Sequence, residues 1–520
     1  MDFTSKFNTT LPETGDAFIQ SPVTLGLTAV VVAFFSLLAF VSYAPKVHKQ
    51  APAFTSDTLP ILGSTGFTTR QWSFWKGASA ESKTGNFSFW LGNRHVVGIT
   101  GPAARKMFFD HPDLDFVSGA IILPFGVHFW PPIHEIFRPG FHNGRSNTFF
   151  LRRLLELMKS EQLNKYLPDL LKDARTSFED LMVNNPSGVT KPPEIWRTVF
   201  KQNCRLVFTD EVADNPELFK SVSDNVDTLL HTFSHYNVPF PWLPSPSYLR
   251  RRMARRGIVN LVSNVVNKRL ANGAQRKDDP VQILIENKDR KDYIIEFFVS
   301  ALFISTTNAH VMAGQMLNIM AIHTDWQDKI YSEIKAAAEK HAAGPSNRTV
   351  VDKLASLPLE AWENSFPTLD LCLKEAIRMW TSFSVTRLNL SANSIPIPGS
   401  DEVVPGNTFV IYNSTEVNFS EELYPNPTKF DPERFLEGRE EFKKETYGFL
   451  GWGQGKHPCA GIRWAKLQQT IIVVYALAMY KWSSCDENGE PDPYAMHRRE
   501  LDSKRSFVLP PAYSKLEPRE

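Results

Sequence analysis

Cysteine is scarce in this chain. The four cysteines among 520 residues lie far apart in the sequence, at Cys204, Cys372, Cys459 and Cys485. This spacing does not form the disulfide framework of a small secreted protein, and it indicates a reducing compartment. The chain also lacks a CxxC pair and a second pair of His and Cys residues, which argues against a zinc site. The CxxCH motif that binds a c-type heme covalently is missing as well, so that class of protein is excluded.

The chain also lacks an excess of charge of either sign. Its 57 Lys and Arg residues and 56 Asp and Glu residues leave a formal net charge of +1 at pH 7. Proteins that bind nucleic acids usually carry a basic surface, so this balance predicts no nucleic-acid partner. Apolar residues make up 42% of the sequence, which is enough to bury a large core.

One long apolar run without charge stands near the start of the chain, from residue 23 to residue 44. Its length of about 22 residues is sufficient to cross a bilayer as a single transmembrane helix. A cleaved signal peptide is the alternative, but acidic residues precede the run and it is longer than a typical signal-peptide core. Lys46 and Lys49 follow it, so the positive-inside rule predicts residues 1–22 in the lumen and the bulk of the protein in the cytosol.

The remainder of the chain reads as a linker and one large domain. Residues 45–60 contain three prolines and form the predicted linker between the anchor and a domain that spans residues 61–520. A β-hairpin is indicated early in this domain, because Gly92-Asn93 separates two short apolar runs. An N-glycosylation sequon begins at Asn8, in the predicted lumenal tail.

A glycine-rich segment, FLGWGQGKHPCAG at residues 449–461, precedes an apolar run with helical spacing at residues 462–480. Glycines such as Gly453 and Gly455 allow the backbone to approach a flat ligand closely. Cys459 lies near the N-terminus of the predicted helix, where the partial positive charge favours the thiolate over the thiol. Because a thiolate binds metals strongly, Cys459 is a candidate metal ligand; the alternative is a small buried apolar residue.

Two further motifs precede this segment. Glu375 and Arg378 form an E-x-x-R motif on a helix predicted to begin near Pro367, and the segment FDPERF contains Arg434. The glycine-rich segment fits the pattern F-x-x-G-x-x-x-C-x-G, except that tryptophan replaces the phenylalanine. With three motifs in this order and spacing, the chain resembles the cytochrome P450 family of heme-thiolate monooxygenases over roughly residues 59–515. The resemblance implies that Glu375, Arg378 and Arg434 form an ion-pair network that braces the cysteine segment.

The resemblance also implies a mainly helical fold with a small β region, in which heme b lies between a long central helix and the cysteine segment. Cys459 would be the fifth ligand of the iron, and Arg387 and His457 would bind the propionates. The indole N–H of Trp452 either points at the sulfur, which would raise the reduction potential of the iron, or points away and only packs. The residues expected to contact the heme are Cys459, His457, Arg387, Trp452, Gly453 and Gly455.

The longest apolar helical signal of the large domain spans residues 292–323, and its centre departs from the family. The family usually has A/G-G-x-D/E-T there, whereas residues 304–308 of this chain are ISTTN. Counting back from His323 places Thr307 at the acid and Asn308 at the threonine; a shift of one residue would place Thr307 at the threonine. Neither a hydroxyl nor an amide is an acid near neutral pH, so proton delivery by the predicted catalytic residues Thr307 and Asn308 would depend on ordered water.

The resemblance implies an enzyme that inserts one oxygen atom from O2 into a lipophilic small molecule, such as a terpenoid, steroid, fatty acid or aromatic secondary metabolite. Its electrons would come from NADPH through NADPH-cytochrome P450 reductase, at the endoplasmic reticulum membrane with the catalytic domain facing the cytosol. Among members of the family, the chain most resembles those of fungal secondary metabolism. The expected pocket residues are Phe116, Ile121, Phe125, Phe298, Leu302, Phe383 and Val385.

Several interpretations stay open at this point. The replaced acid-threonine pair also fits family members that rearrange or dehydrate a substrate without a reductase, and a heme-binding protein without turnover is a further alternative. Lys456, Arg463 and Lys466 near the cysteine segment either attract an acidic reductase or belong to a solvated helix face. The apolar segment VPFPWLPSP, beside the basic residues 250–256, either contacts the membrane surface or precedes a solvated helix.

Overall fold

Helices make up most of the structure. The computed structural model describes residues 22–42, 46–60, 63–120, 135–142, 145–191, 195–232, 245–271, 275–381, 383–492, 501–502 and 512–519. The α-helices of this part are α1 (Pro22–Ser42), α2 (Thr65–Thr69), α3 (Gln71–Glu81), α4 (Pro102–Asp110), α5 (Phe116–Gly119), α6 (Phe149–Leu157), α7 (Ser160–Asn184), α8 (Trp196–Val207), α9 (Asp210–Asp214), α10 (Pro216–His231), α11 (Pro246–Leu270), α12 (Pro280–Glu286), α13 (Lys291–Ile322), α14 (Thr324–His341), α15 (Val350–Leu354), α16 (Leu359–Asn364), α17 (Pro367–Trp380), α18 (Thr415–Asn418) and α19 (Ile462–Met479).

The strands are short and form a small β region. They are β1 (Phe87–Leu91), β2 (Arg94–Gly98), β3 (Leu114–Asp115), β4 (Pro139–His142), β5 (Arg145–Thr148), β6 (Val189–Thr190), β7 (Ser384–Asn389), β8 (Ile395–Pro396), β9 (Val403–Val404), β10 (Phe409–Asn413), β11 (Tyr480–Cys485) and β12 (Tyr513–Pro518). The largest sheet has the strand order β1-β2-β10-β7-β3. Its first two strands pair antiparallel, with Phe87 opposite Gly98, which confirms the predicted hairpin.

Helix α13 forms the middle of the core. Its 32 residues are mostly apolar, so it is stable only when other elements surround it. It packs against α8, α11, α17 and α19. Residues along its whole length, such as Phe297, Ala313 and Met316, have no exposed surface. The prediction of a mainly helical fold with a small β region and a long central helix is confirmed.

Helix α1 corresponds to the apolar run near the start of the sequence. Its side chains from residue 25 to residue 39 are exposed. Leu25, Val30 and Phe35, for example, have 60%, 66% and 60% of their surface accessible. In the part of the chain that the structure describes, the helix with the length and hydropathy to cross a bilayer is α13, and most of it is buried inside the protein. Hydropathy alone therefore does not distinguish a membrane-spanning helix from a core helix. The exposed side chains of α1 distinguish it from the buried α13.

Candidate heme site

The cysteine loop, residues 449–461, turns tightly because two of its glycines adopt left-handed backbone angles. Gly453 has a φ of +70° and Gly455 has a φ of +62°. A Cβ atom at Gly453 would lie 2.7 Å from the carbonyl oxygen of His457, and one at Gly455 would lie 2.3 Å from the carbonyl oxygen of Phe109. Both positions therefore require glycine, for the backbone angle and for the close approach.

Helix α4 supports the cysteine loop from a neighbouring segment of the chain. The Lys456 N–H of the loop donates a hydrogen bond to the Phe109 carbonyl over 3.2 Å. Arg105, which is buried, forms an ion pair with Glu445 over 2.7 Å, just before the loop begins. A buried guanidinium needs such a partner, so this pair fixes the chain that enters the loop against α4.

The predicted ion-pair network is present and completely buried. Arg378 Nη2 lies 2.7 Å from Glu375 Oε1, and Arg434 Nε lies 3.2 Å from the same oxygen. Glu375 and Arg378 have no exposed surface, and Arg434 is 1% exposed. The helix that carries the first two residues also meets the loop, since a Cβ atom at Gly451 would lie 2.3 Å from the Ile377 side chain. The network therefore lies directly behind the cysteine loop.

Cys459 is exposed, whereas the other three cysteines of the chain are buried. Helix α19 begins three residues later, at Ile462. Burial by the surrounding protein raises the pKa of the Cys459 thiol, and a hydrogen bond from the Gly461 N–H opposes this only partly. This rise in the pKa opposes the stabilisation of the thiolate expected at a helix N-terminus, because the loss of hydration outweighs one N–H donor. Coordination to a metal would overcome this effect, because a coordinating thiol is deprotonated.

Arg387 on β7 is a buried cation whose donors are incompletely used. It is 1% exposed, its Nη1 donates to the Leu114 carbonyl over 3.2 Å, and its Nε is buried without a hydrogen-bond partner. The guanidinium lies over the rings of Phe108 and Phe109. Burial lowers the pKa of Arg387 to about 10, partly opposed by Asp115. An unpaired buried donor of this kind is suited to an anionic group of a ligand.

His457 lies close enough to Arg387 for their charges to interact. Burial lowers the pKa of His457, although its surface is accessible, and the positive charge of Arg387 lowers it further. The imidazole ring is 6.0 Å from the ring of Phe116. The structure thus brings together the two bases that were predicted to bind propionates, one of them two residues before Cys459.

The centre of helix α13 has one accessible face. Ile304 is 46% exposed and Asn308, one turn later, is exposed too, although most of the helix is buried. Residues four apart lie on the same side of a helix, so these two define the face. The Thr307 hydroxyl beside them donates to the Phe303 carbonyl over 2.7 Å. This geometry favours the first of the two predicted registers, with Asn308 at the position of the family's threonine.

Buried hydrogen bonds join α13 to the helix that follows the cysteine loop. Gln469 Nε2 donates to the Ala309 carbonyl over 3.0 Å. Trp464 Nε1 donates to Asn203 Oδ1 over 2.9 Å, and Asn203 Nδ2 donates to Thr306 Oγ1 over 3.2 Å. These residues were not predicted from the sequence, although polar side chains within apolar helical runs were the available signal.

The motifs described above all lie in the part of the chain that matches one known protein family. A family model described as Cytochrome P450 matches residues 54–515, which is most of the chain. The chain belongs to the cytochrome P450 family. The protein named cytochrome P450 monooxygenase nsrP, from Aspergillus novofumigatus, is 62% identical to it, and the match covers 95% of this chain and 96% of that protein. Cytochrome P450 monooxygenase AacuE, from Aspergillus aculeatus, is 50% identical over 92% of this chain and 95% of that protein.

A solved structure of this P450 family has the same fold. A cyanobacterial cytochrome P450 with retinoic acid bound matches with a TM-score of 0.67 and 18% identity, over 91% of this chain and all of that chain (100%). At this identity the match concerns the fold alone. The predicted family and fold class are confirmed, and the protein is an oxidoreductase of the P450 monooxygenase type with similar proteins in fungi.

Two residues predicted to line the pocket of this P450 belong to its core. Phe298 and Leu302 have no exposed surface, so their prediction as pocket residues is wrong. Both point away from Ile304, since at 100° per residue Leu302 lies about 160° and Phe298 about 120° from it around the helix axis. Ile304, which the prediction omitted, is the residue of this segment that reaches the accessible face.

The other predicted pocket residues divide into two groups. Phe116 is 40% exposed, and Phe383 and Val385 are partly accessible. These three lie near one another, because α5 packs against β7. Ile121 and Phe125 lie outside the residues that the structure describes.

Trp452 occupies the position of the family's phenylalanine and packs against the main core. It is half-buried. Within the described part of the chain, no hydrogen bond joins its indole N–H to the Cys459 sulfur. The structure therefore favours the interpretation of Trp452 as a packing residue.

Most of the basic side chains around the cysteine loop have acidic partners. Arg463 Nε lies 2.6 Å from Glu363 Oε1, and Lys466 Nζ lies 2.5 Å from Asp370 Oδ1. Lys456 is exposed in the loop itself. The net positive charge of this surface is thus smaller than the sequence alone indicated.

The residues that the structure brings together fit a heme. Cys459 presents an accessible sulfur, Gly453 and Gly455 allow close backbone approach, and Arg387 keeps a buried donor without a partner. A porphyrin with an iron and two carboxylates needs a soft ligand for the metal, a flat contact surface and cationic groups for the propionates. The chemistry of the site therefore agrees with the family.

Proposed function

We propose that this P450 inserts one oxygen atom from O2 into a lipophilic small molecule, such as a terpenoid, steroid, fatty acid or aromatic secondary metabolite. The observation that carries the proposal is the accessible Cys459 thiol, on a loop held by glycine geometry and by a buried ion-pair network. Such a loop is suited to bind iron from one side. Heme b, when bound, supplies the one-electron and O2 chemistry of the reaction.

The residues of this chain would bind and orient the heme. Cys459 would be the iron ligand, and Arg387 and His457 would neutralise the propionates. Arg387 is suited to this role because an anion would complete the hydrogen bonding of its buried Nε. Gly453 and Gly455 would allow close contact with the porphyrin, and Trp452 would pack beside it.

Thr307 and Asn308 would hold water where protons are needed. The Asn308 amide both donates and accepts hydrogen bonds, and its side chain is exposed on the accessible face. The Thr307 hydroxyl donates to the Phe303 carbonyl, which leaves its lone pairs as acceptors. Neither group ionises near neutral pH, so both would position water rather than supply protons themselves.

Accessible apolar side chains support a lipophilic substrate. Ile304 lies one turn before Asn308 on α13, and Phe116, Phe383 and Val385 lie on α5 and around the start of β7. Burying apolar ligand surface against such side chains contributes about 25 cal/mol per Å².

Membrane attachment is the second part of the proposal. We expect α1 to be a transmembrane anchor at the endoplasmic reticulum, since an exposed apolar helix is unfavourable in water. Residues 1–22 would be lumenal, with Asn8 glycosylated, and residues 45–60 would link the anchor to a cytosolic catalytic domain of residues 61–520. Exposed Leu249 and Met253 on α11, with exposed Arg250 and Arg252 between them, suit an anionic membrane surface.

Electrons would come from NADPH through NADPH-cytochrome P450 reductase. Lys456 is the exposed lysine nearest in the sequence to the iron ligand, three residues before Cys459. Attraction between opposite charges would accelerate the encounter with an acidic reductase. The ion pairs of Arg463 and Lys466 reduce their contribution to this attraction.

The proposal is tested with isotope-labelled oxygen. The full chain in membranes with a reductase is supplied with NADPH, ¹⁸O2 and a library of lipophilic compounds. We expect a product that contains one ¹⁸O atom and forms only with NADPH. An oxygenated product without the label, or no conversion of any compound, would overturn the proposal.

One observation favours a second candidate, a reductase-independent isomerase or dehydratase. The accessible face of α13 presents Asn308 and, beside it, Thr307, with no carboxylate at the position where the family has one. Conversion of a substrate at the same rate with and without NADPH would establish this candidate. Ligand binding without conversion in either case would indicate a heme-binding protein without turnover.

A further inference from the structure

Helix α13 contains almost no titratable groups near the candidate site. From residue 297 to residue 322 its sequence has one titratable side chain, His310. The reaction proposed above, on which this inference rests, consumes protons: RH + O2 + 2 electrons + 2 H⁺ gives ROH + H2O. Since Thr307 and Asn308 do not ionise, the two protons need another source, and His310 is the nearest titratable residue along the helix.

His310 belongs to a group of side chains that extends to the surface. Its Nδ1 donates to the Thr306 carbonyl over 2.7 Å, which assigns the hydrogen of the neutral imidazole to Nδ1 and leaves Nε2 as an acceptor. The ring of His231 on α10 lies 6.2 Å away, centroid to centroid, and nearly perpendicular. His231 in turn pairs with Asp227 over 2.9 Å, and the side chains of these two residues are 45% and 47% exposed.

Helical geometry places Thr307 between His310 and Asn308. At 3.6 residues per turn, Thr307 lies about 60° from His310 and about 100° from Asn308 around the helix axis. Residues three apart are neighbours on a helix surface, so the hydroxyl of Thr307 is near the imidazole. Its lone pairs can accept a proton from one side, and rotation of the hydroxyl lets it donate on the other.

We propose that Asp227, His231 and His310 carry protons from solvent to Thr307 and Asn308, in place of the missing carboxylate of the central helix. Nε2 of His310 takes up each proton from His231, directly or through one water molecule, and then gives it to a water molecule that the Thr307 hydroxyl holds, while Nδ1 stays bonded to the Thr306 carbonyl. The proton ends on the oxygen atom that leaves as water. His310 returns to its neutral form after each transfer, so two transfers match the two electrons of the reaction.

The surroundings of His310 suit this role. Burial lowers the pKa of His310 and the charge of His231 lowers it further, whereas the hydrogen bond to Thr306 and the charge of Asp227 raise it. Arg197 on α8 is a further charged group close to this cluster, and its charge lowers the pKa of Asp227. A histidine with a lowered pKa is neutral at pH 7 and therefore gives up an added proton readily.

The first test replaces the histidine in the full-length enzyme with its reductase. We expect H310Q to reduce the amount of product per NADPH consumed by about 10-fold or more, and to increase the solvent deuterium isotope effect. His323, at the end of the same helix, stacks on Phe430 outside this cluster. The matched control H323Q should leave both quantities unchanged; equal effects in the two variants would overturn the relay.

A rescue experiment separates proton transfer from a merely structural role. The double variant H310Q/T307D places a carboxyl group on the helix beside the lost imidazole. If His310 supplies protons, this acid should restore most of the product per NADPH and shift the pH profile of the reaction. T307D alone is the control: if His310 supplies protons, T307D raises the product per NADPH far more in the H310Q background than in the native one, whereas an equal change in both backgrounds contradicts the relay.

A measurement on the resting protein does not depend on turnover. Hydrogen exchange at the imidazole C2 position, followed by mass spectrometry across pH, reports the pKa of each histidine. We expect the pKa of His310 to rise in H231Q, because a repelling charge is removed. An unchanged pKa would show that the two rings are not coupled and would overturn the relay, whereas failure of the ¹⁸O2 experiment alone would contradict only the proposed reaction.

Discussion

The cysteine loop and the centre of helix α13 both contribute to the candidate site, but different forces fix their residues. In the loop, the backbone angle of Gly455 and its contact with Phe109 leave no space for another residue. In the helix, backbone hydrogen bonds form whatever side chain stands at Thr307 or Asn308. The fold of the loop therefore requires glycine at position 455, whereas the fold of the helix allows other side chains at positions 307 and 308.

The largest expected effect is on the iron ligand. C459A should abolish the red-shifted absorption band of the ferrous carbonyl complex, because that band depends on a thiolate ligand. The matched control is C485A, which removes a buried cysteine on β11, far along the chain from the loop. An unchanged band in C459A would show that another residue binds the iron and that the cysteine loop does not provide the ligand.

The ion-pair network should give the next largest effect, on stability. E375A leaves Arg378 and Arg434 buried without their shared partner, so we expect the free energy of unfolding to fall by about 3–5 kcal/mol. Urea denaturation followed by circular dichroism measures it. E363A removes the exposed partner of Arg463 and should cost at most about 1 kcal/mol. Similar losses in the two variants would mean that burial does not set the strength of the network.

Two glycines of the same loop should respond differently to alanine. At Gly455 a Cβ atom would lie 2.3 Å from the Phe109 carbonyl oxygen and φ is +62°, whereas at Gly461 no atom lies within 4 Å of the added Cβ. G455A should therefore lose about 1–3 kcal/mol of stability and much of its heme, and G461A should lose little. Heme content per protein and thermal unfolding measure both. Equal tolerance at the two positions would show that the loop is less constrained than its contacts indicate.

The cysteine loop could be predicted from sequence because its constraints are local. Glycine at positive φ and the E-x-x-R network leave recognisable patterns, and the structure confirms the network around Glu375. The accessible face of α13 could not be predicted, because residues such as Leu302 and Ile304 are equally apolar and only packing decides which is buried. Nor could the pKa of Cys459 be predicted, since it depends on burial by distant segments.

The smallest expected effect concerns the helix centre itself. The double variant T307D/N308T restores the acid and threonine of the family, but the relay through His310 already supplies protons, so the product formed per NADPH should change by less than about 2-fold. N308T alone supplies a hydroxyl without an acid and should change this ratio little. The product and the hydrogen peroxide released per NADPH measure the effect. A several-fold increase would show that the native protein delivers protons poorly and would count against the relay, whereas little change would show that residues 307 and 308 can depart from the family because protons arrive by another route.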